Sequence, residues 1–289
     1  MGFLDILQQS PTSLFFAVGL LGLCVGSLLN VVIHRLPRMM EAGWREECAE
    51  LEGREPPPRE TYNLFTPRSA CPKCGTRITA PQNIPVVSWL ALRGKCAKCA
   101  NPISIRYPAV EVLGALAALL MAWRFGYSAA LVFAMIYGWA MIALAFIDFD
   151  TQLLPDDITL PLLWLGLIAN AYGTFIDLHS AVLGAVGGYM ILWCVYWAFR
   201  LLAKKEGMGY GDFKLLAALG AWMGPYALLP IILISSLVGA VVGGAFLAIR
   251  GHDRATPIPF GPFIAVAGWA WFLYGAPLAS LYHHLLGGA

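Results

Sequence analysis

No Lys or Arg precedes Arg35 and none follows Arg254, and Asp, Glu, Lys and Arg together make up only 12% of the 289 residues. A soluble globular domain carries about twice that charged fraction, which excludes an ordinary soluble enzyme or binding module. A secretory leader needs a basic start, a short apolar core and a small-residue cleavage site. The first apolar run has none of these, so the expectation there is a retained helix. Several catalytic signatures are also missing: H-E-x-x-H, G-x-S-x-G, an evident Ser/Lys dyad, G-x-G-x-x-G and G-x4-G-K-[ST]. Zincin, serine-hydrolase, P-loop and dinucleotide chemistry lose their usual supports.

What is abundant is apolar: 59% of residues are hydrophobic and ten are Trp. A bilayer-crossing helix needs about 20 mostly apolar residues. Seven runs meet this: 12–34, 107–123, 127–147, 158–176, 180–202, 226–249 and 258–279. The stretch 213–224 is shorter, and alone it would read as a buried or re-entrant helix. Counting it as a span gives eight and places eighteen of nineteen Lys and Arg on one side, with only Arg124 on the other. By the positive-inside rule both termini then lie outside and the first loop, 35–106, is cytoplasmic. The expected fold is an all-α polytopic membrane protein of about eight transmembrane helices. Gly-rich stretches such as "GAVGGY" (184–189) and "GAVVGGAF" (239–246) suit close helix packing.

The first loop is the one sizeable polar segment. Residues 40–61, with seven Glu and the Pro56-Pro57-Pro58 stop, predict a short charged helix or a solvated linker. Beyond them, "CPKC" and "CAKC" place Cys71, Cys74, Cys96 and Cys99 in two pairs separated by 21 residues. That spacing fits a tetrahedral four-thiolate zinc site, with no open position for catalysis. A reducing cytosol disfavours two disulfides, and redox motifs seldom come doubled. Zinc ribbons often bind nucleic acid. This one is tied to a membrane helix, so lipid or a partner chain is the expected contact, with no nucleic acid. Cys24 and Cys194, within spans, read as packing residues.

Few acidic residues follow the loop. Asp177, Glu206 and Asp253 fit short loops or solvated faces, and Asp157, behind Pro155, reads as a helix N-cap. Asp148 has no such role. It follows Ile147 at the end of an apolar span, where an ionisable group is a functional candidate by default. Asp212, in "GMGYGDFKLLAALG" (207–220), lies on the same membrane side in this topology. It could cap its helix, or it could partner Asp148. Two carboxylates in a partly dry site share a proton, so that one acts as base while the other acts as acid. This suits amide hydrolysis. Glycines beside Asp212 would let a substrate backbone approach. The rival class is an ion-coupled transporter relaying protons through these aspartates. Clustering at one interface instead of mid-bilayer favours the enzyme. A zinc-bearing scaffold without chemistry is a third option.

Several segments, in this order, resemble the bifunctional type IV prepilin leader peptidases/N-methyltransferases. They are "GSLLNVVIHRLP" (26–37), "CPKC", "PVVSWLALRGKC" (85–96), "RYPAVEVLGA" (106–115), "DFDTQLLPDDITLPLLW" (148–164), "GYGDFKLLAALGAW" (209–222) and "PFGPFIAVA" (259–267). The family comprises GxGD-type membrane aspartyl proteases, and Gly209-Tyr210-Gly211-Asp212 matches that signature. The resemblance implies a catalytic pair of Asp212 and Asp148, the latter opening a D-x6-P pattern that ends at Pro155. Gly209, Gly211 and Lys214 would support the motif, and Asp150 is the lesser alternative to Asp148. It further implies a bacterial inner-membrane enzyme with periplasmic termini. This enzyme would remove the basic leader of type IV prepilins and type II secretion pseudopilins after a glycine, then N-methylate the new terminus. The methyl donor, S-adenosylmethionine, would bind within 35–111 at residues the sequence does not identify. Residues 1–34 would form the first helix, 35–106 the zinc loop with the methyltransferase part, and 107–289 the peptidase domain. Two roles are open for Glu111: contact with the substrate amine, or pairing with Arg106. The glutamates of 41–60 are expected to attract the basic leader.

Overall fold

The computed structural model describes residues 2–55, 61–204, 208–250 and 259–285. Pro56-Pro57-Pro58, Glu60, Lys205, Glu206, Gly207, Asp253 and Arg254, which figure in the sequence reading, lie outside the described residues. Among the described residues the regular structure is helical, with only isolated β-bridges. The helices are α1 (Phe3–Gln9), α2 (Pro11–Leu51), α3 (Val87–Ala91), α4 (Arg106–Phe125) and α5 (Ala129–Thr151). After these come α6 (Asp156–Ala171), α7 (Leu178–Ala203), α8 (Tyr210–Met223), α9 (Leu228–Arg250) and α10 (Gly261–Leu285). Each of the eight apolar segments is helical. Among the described residues, α2, α4, α5, α7 and the stretch Pro225–Ala245 are long and apolar enough to cross a membrane. The chain divides into two compact units, residues 1–127 and 128–289.

In the first unit, α2 does not stop at the end of its apolar run. It continues through Pro37 to Leu51, which replaces the expected break between a first helix and a separate charged segment. Met, Glu, Ala, Arg and Leu dominate residues 38–51, and all are good helix formers. Glu41 and Arg45 add an i,i+4 pair at 3.4 Å. At 41 residues and 1.5 Å per residue the helix is about 60 Å long, roughly twice the thickness of a bilayer core. Helix α4 packs along its apolar half by backbone approach. A Cβ on Gly26 would lie 2.6 Å from Glu111 Cα, and one on Gly114 would lie 2.7 Å from Gly22 O. Asn30 Nδ2 donates to Tyr107 O at 3.0 Å. Where α2 leaves its apolar half, the buried Arg35 donates to Asn63 O at 2.8 Å and Pro67 O at 2.6 Å. This ties the cysteine-bearing segment to the helix. Cys24 and Cys194 are exposed on their helices, so they do not pack in the interior as the sequence suggested.

In the second unit α8 is the centre. Residues from Phe213 to Trp222 are almost all fully buried, against α6, α7 and α10. At 14 residues it spans about 21 Å, too short for an ordinary lipid-facing span but suited to a helix wrapped by others. Its two sides are closed differently. Toward α7 it presents backbone: Gly184 and Gly220 face each other so closely that a Cβ on either would overlap the other's carbonyl, and one on Gly188 would lie 2.5 Å from Leu216 O. Toward α6 it presents Trp222, whose Nε1 donates to Leu162 O at 2.9 Å while its ring fills the space over Gly166. The buried Asn170 completes this side. Its Nδ2 donates to Ala221 O at 2.8 Å, and its Oδ1 accepts from the Phe175 and Ile176 amides at 3.1 Å. In "GAVVGGAF" only part of the packing expectation holds, because Gly239 meets Phe263 while Gly244 faces open space.

Candidate active site

Asp148 lies in the last turn of α5, and its main-chain carbonyl accepts from Gln152 N at 2.8 Å. Gln152 adopts φ 57°, which ends the helix and turns the chain, and Pro155 takes the N-cap position of α6. The D-x6-P spacing is therefore the length of one tight helix-to-helix reversal. Asp148 remains only 5% exposed, whereas Asp150, two residues on, is exposed. The buried carboxylate has a main-chain partner: Asp148 Oδ2 accepts from Gly261 N, at the start of α10, at 2.9 Å. A Cβ on Gly261 would stand 2.7 Å from that same oxygen, so only glycine lets the amide come so close.

Asp212 sits at the third position of α8 and is 8% exposed. Gly209 is the N-cap, not Asp212, and no side chain caps the helix. The aspartate lies in the first turn, where the helix dipole favours a negative charge. It is close enough to Asp148 for the two carboxyl groups to interact electrostatically. The flanking glycines divide in role. Gly209 has open space around it, whereas a Cβ on Gly211 would meet Leu154 Cβ at 2.7 Å. The space at Gly211 is therefore taken by Leu154, whereas a Cβ on Gly209 would meet only Gly211 N, at 4.0 Å. Leu154 also reaches the Gly261 position, 3.2 Å from where its Cβ would be. One half-exposed leucine therefore separates the start of α8 from the start of α10.

Asp157 does not cap α6. It is the second residue of the helix, because Pro155 precedes it at the N-cap without a side-chain bond. Asp156 has the sharper role: its two oxygens accept from Lys214 Nζ at 2.7 and 2.6 Å. This pair joins the first turns of α6 and α8 beside Asp212. Lys214 thereby has a scaffolding contact, and Asp177 is the N-cap of α7 through Ser180 N at 2.9 Å. Sequence reasoning missed Gly261 and Leu154 as neighbours of the pair. The signal for the first was present in "PFGP", a segment quoted only as part of a resemblance.

In the first unit the four cysteines converge. Their Sγ atoms all lie within 4.8 Å of one another, with Cys71–Cys99 at 3.7 Å and Cys74–Cys96 at 3.9 Å. Four sulfurs held tetrahedrally at the usual Zn–S length stand about 3.8 Å apart, so the residues fit zinc. The two knuckles are built alike. Cys71 N bonds Thr76 O and Gly75 N bonds Cys71 O in the first; Cys96 N bonds Asn101 O and Ala100 N bonds Cys96 O in the second. Each turn places its fifth residue at positive φ, 68° for Gly75 and 55° for Ala100. Thr76, its hydroxyl 3.3 Å from Cys74 Sγ, holds that thiol below its ordinary value. Four sulfurs would leave a bound zinc no open position, so such a site would be closed and structural. Zinc bound there would hold together a segment too small for its own core. Wild-type protein is expected to carry stoichiometric zinc and Cys71→Ser to lose most of it, as read by elemental analysis of purified protein. Unchanged metal content would dismiss the zinc centre.

A family model described as "Bacterial Peptidase A24 N-terminal domain" matches residues 20–125, and one described as "Type IV leader peptidase family" matches residues 135–244. A prepilin leader peptidase/N-methyltransferase of Pseudomonas aeruginosa is 51% identical over 289 residues, covering 99% of both chains. The chain belongs to the type IV leader peptidase family. Proteins of the same name from Aeromonas hydrophila and Dichelobacter nodosus are 50% identical over 284 residues and 49% over 290, covering at least 96% of each chain. No solved structure matches significantly. With family membership and the long apolar helices together, this leader peptidase family member is a multi-pass membrane protein. The transporter reading finds no support in these matches. The two family models also fall on either side of the 127/128 division between the compact units.

Proposed function

We propose that this chain is an inner-membrane prepilin leader peptidase/N-methyltransferase whose peptidase pair is Asp148 and Asp212. The observation that carries the reading is geometric. Two aspartates from different helices are both buried, interact with each other, and sit at helix ends beside a main-chain donor. With one carboxyl ionised and the other protonated, the ionised group takes a proton from water. The resulting hydroxide attacks the scissile carbonyl. The protonated partner delivers its proton to the departing amine as the C–N bond breaks. The Gly261 amide holds Asp148 by Oδ2, leaving Oδ1 for water and for Asp212. Asp150, two residues on in the same helix, is exposed.

The orientation that supports this chemistry puts the pair at the cytoplasmic face and both termini in the periplasm, following the Lys and Arg distribution. A basic leader would stay in the cytoplasm while its apolar helix enters the bilayer. Exposed glutamates on the extension of α2, among them Glu41, Glu47 and Glu50, are suited to attract it. We assign methylation to the first unit, with the zinc-held segment supported by α2 and α4, and S-adenosylmethionine as the methyl-donating substrate. Pilin and pseudopilin precursors are the proposed substrates. Purified protein mixed with a prepilin and S-adenosylmethionine is expected to release the leader and to raise the product's mass by one methyl group. Intact prepilin after prolonged incubation would overturn the reading.

A further inference from the structure

One buried carboxylate in the first unit is unexplained by the zinc-held segment and by the aspartate pair. Glu111, in the second turn of α4, is 9% exposed and lies within a helix apolar enough to cross a membrane. Among the described residues it forms one hydrogen bond and no ion pair: Oε2 accepts from Val86 N at 2.7 Å. Val86 is itself unusual. It has φ 60° and ψ −49°, and Val87 N reaches back to Pro85 O at 2.5 Å. This is a γ-turn of the strained, positive-φ kind, on a β-branched residue that avoids that region. Strain of this sort costs of order 1–3 kcal/mol and persists where its surroundings impose it. Here the fixed partner is the carboxylate, because the Glu111 backbone is pressed against Gly26 on α2.

A neutral amide oxygen would hold one turn N–H equally well. A full negative charge with one oxygen unused is costly in such a place unless a cation joins it. Resting on the methyltransferase reading above, the chemistry offers two cations at this stage: the new N-terminal ammonium of the cleaved chain and the sulfonium of the donor. The sulfonium has no N–H to give. The ammonium has three donors that match an open carboxylate oxygen. It must also lose a proton before its nitrogen can attack.

We propose that Glu111 is the catalytic residue that binds and deprotonates the acceptor's N-terminal ammonium, with the Val86 turn fixing one of its oxygens so that the other faces the substrate. The ammonium passes one proton to the carboxylate. The freed nitrogen lone pair then forms a bond to the donor methyl carbon as the carbon–sulfur bond breaks, and its electrons remain on sulfur as a neutral thioether. The product is a secondary ammonium, and Glu111 returns its proton to solvent.

Glu111→Gln separates this role from a structural one, because glutamine can still accept from Val86 N but carries no charge. Leader removal, which depends on the aspartate pair, reports that the variant is folded. Methylation of an already cleaved pilin is expected to fall about 100-fold or more, from the lower end of the usual general-base range upward, chiefly in kcat. A second measurement needs no turnover. A dye-labelled peptide of the mature pilin N-terminus, with its α-amine free or acetylated, is titrated by fluorescence anisotropy. Wild-type protein should prefer the free amine by about tenfold or more, as expected for a charge-assisted bond, and the variant should lose that preference. Normal methylation by Glu111→Gln overturns the proposal, as does an unchanged preference for the free amine or a defect confined to donor binding. A wild-type protein that neither cleaves nor methylates would instead overturn the functional reading beneath it.

Discussion

Asp148→Asn and Asp212→Asn, made separately, should each lower leader cleavage by about three orders of magnitude or more, while Asp150→Asn stays within about tenfold of wild type. The size follows from what asparagine removes. It fits the space of aspartate but neither takes a proton from water nor delivers one to a leaving amine. Each member of the pair has only the other to share that work, so losing one should cost about as much as losing both. The contrast with Asp150 is the sharper part. Only Asp148 is buried, electrostatically linked to Asp212 and bonded to Gly261, whereas Asp150 is exposed. Cleavage of a prepilin, followed by gel shift over a range of enzyme concentrations, reads all three variants. Substantial cleavage by both Asp148→Asn and Asp212→Asn would end the aspartyl mechanism. Loss in Asp150→Asn with retention in Asp148→Asn would move the role by two residues.

The second large effect lies in the packing that carries Asp212. Gly184→Val should destabilise the protein by about 3 kcal/mol or more, the upper range for overpacking, because the obstacle is the Gly220 carbonyl and backbone does not step aside as a side chain can. Folded proteins have only about 5–15 kcal/mol to lose. The expected result is therefore a large drop in thermal midpoint in detergent, with peptidase activity lost as α8 shifts. Gly244→Val is the matched control, since a Cβ there meets nothing within 4 Å, and its midpoint should match wild type. Equal midpoints for the two variants would refute the close approach of α7 and α8.

These two sites also show where the sequence was readable. The apolar runs were legible as helices because each is long and bounded by polar residues. The four cysteines were legible because two short knuckles fix their own geometry locally. Asp148 stood out as a charge with no cheap explanation at the edge of an apolar segment, and Asp212 as a carboxylate on the same side that could partner it. Features that depend on tertiary contact were harder to see. The first helix was expected to end at residue 34, yet α2 runs on through Pro37, because good helix formers follow and Arg35 is anchored by carbonyls 28 and 32 residues away. Gly211 looked like room for substrate, yet it accommodates Leu154 from another helix. Ala100 gave no sign of positive φ, whereas its counterpart Gly75 did. Asp157 and Asp212 were each plausible caps, and each lies inside the first turn, because the residues that could occupy the cap position were Pro155 and Gly209.

The Gly261 amide gives the pair a timetable. Asp148 and Asp212 belong to α5 and α8, the first and fourth helices of the second unit, but the donor that steadies Asp148 opens α10, the last described helix. A nascent chain therefore presents both aspartates to the insertion machinery before the donor to Asp148 has been made. On the proposed assignment, the hydrolytic centre would be complete only when α10 docks. A protease built this way would complete its blade at the end of its own assembly.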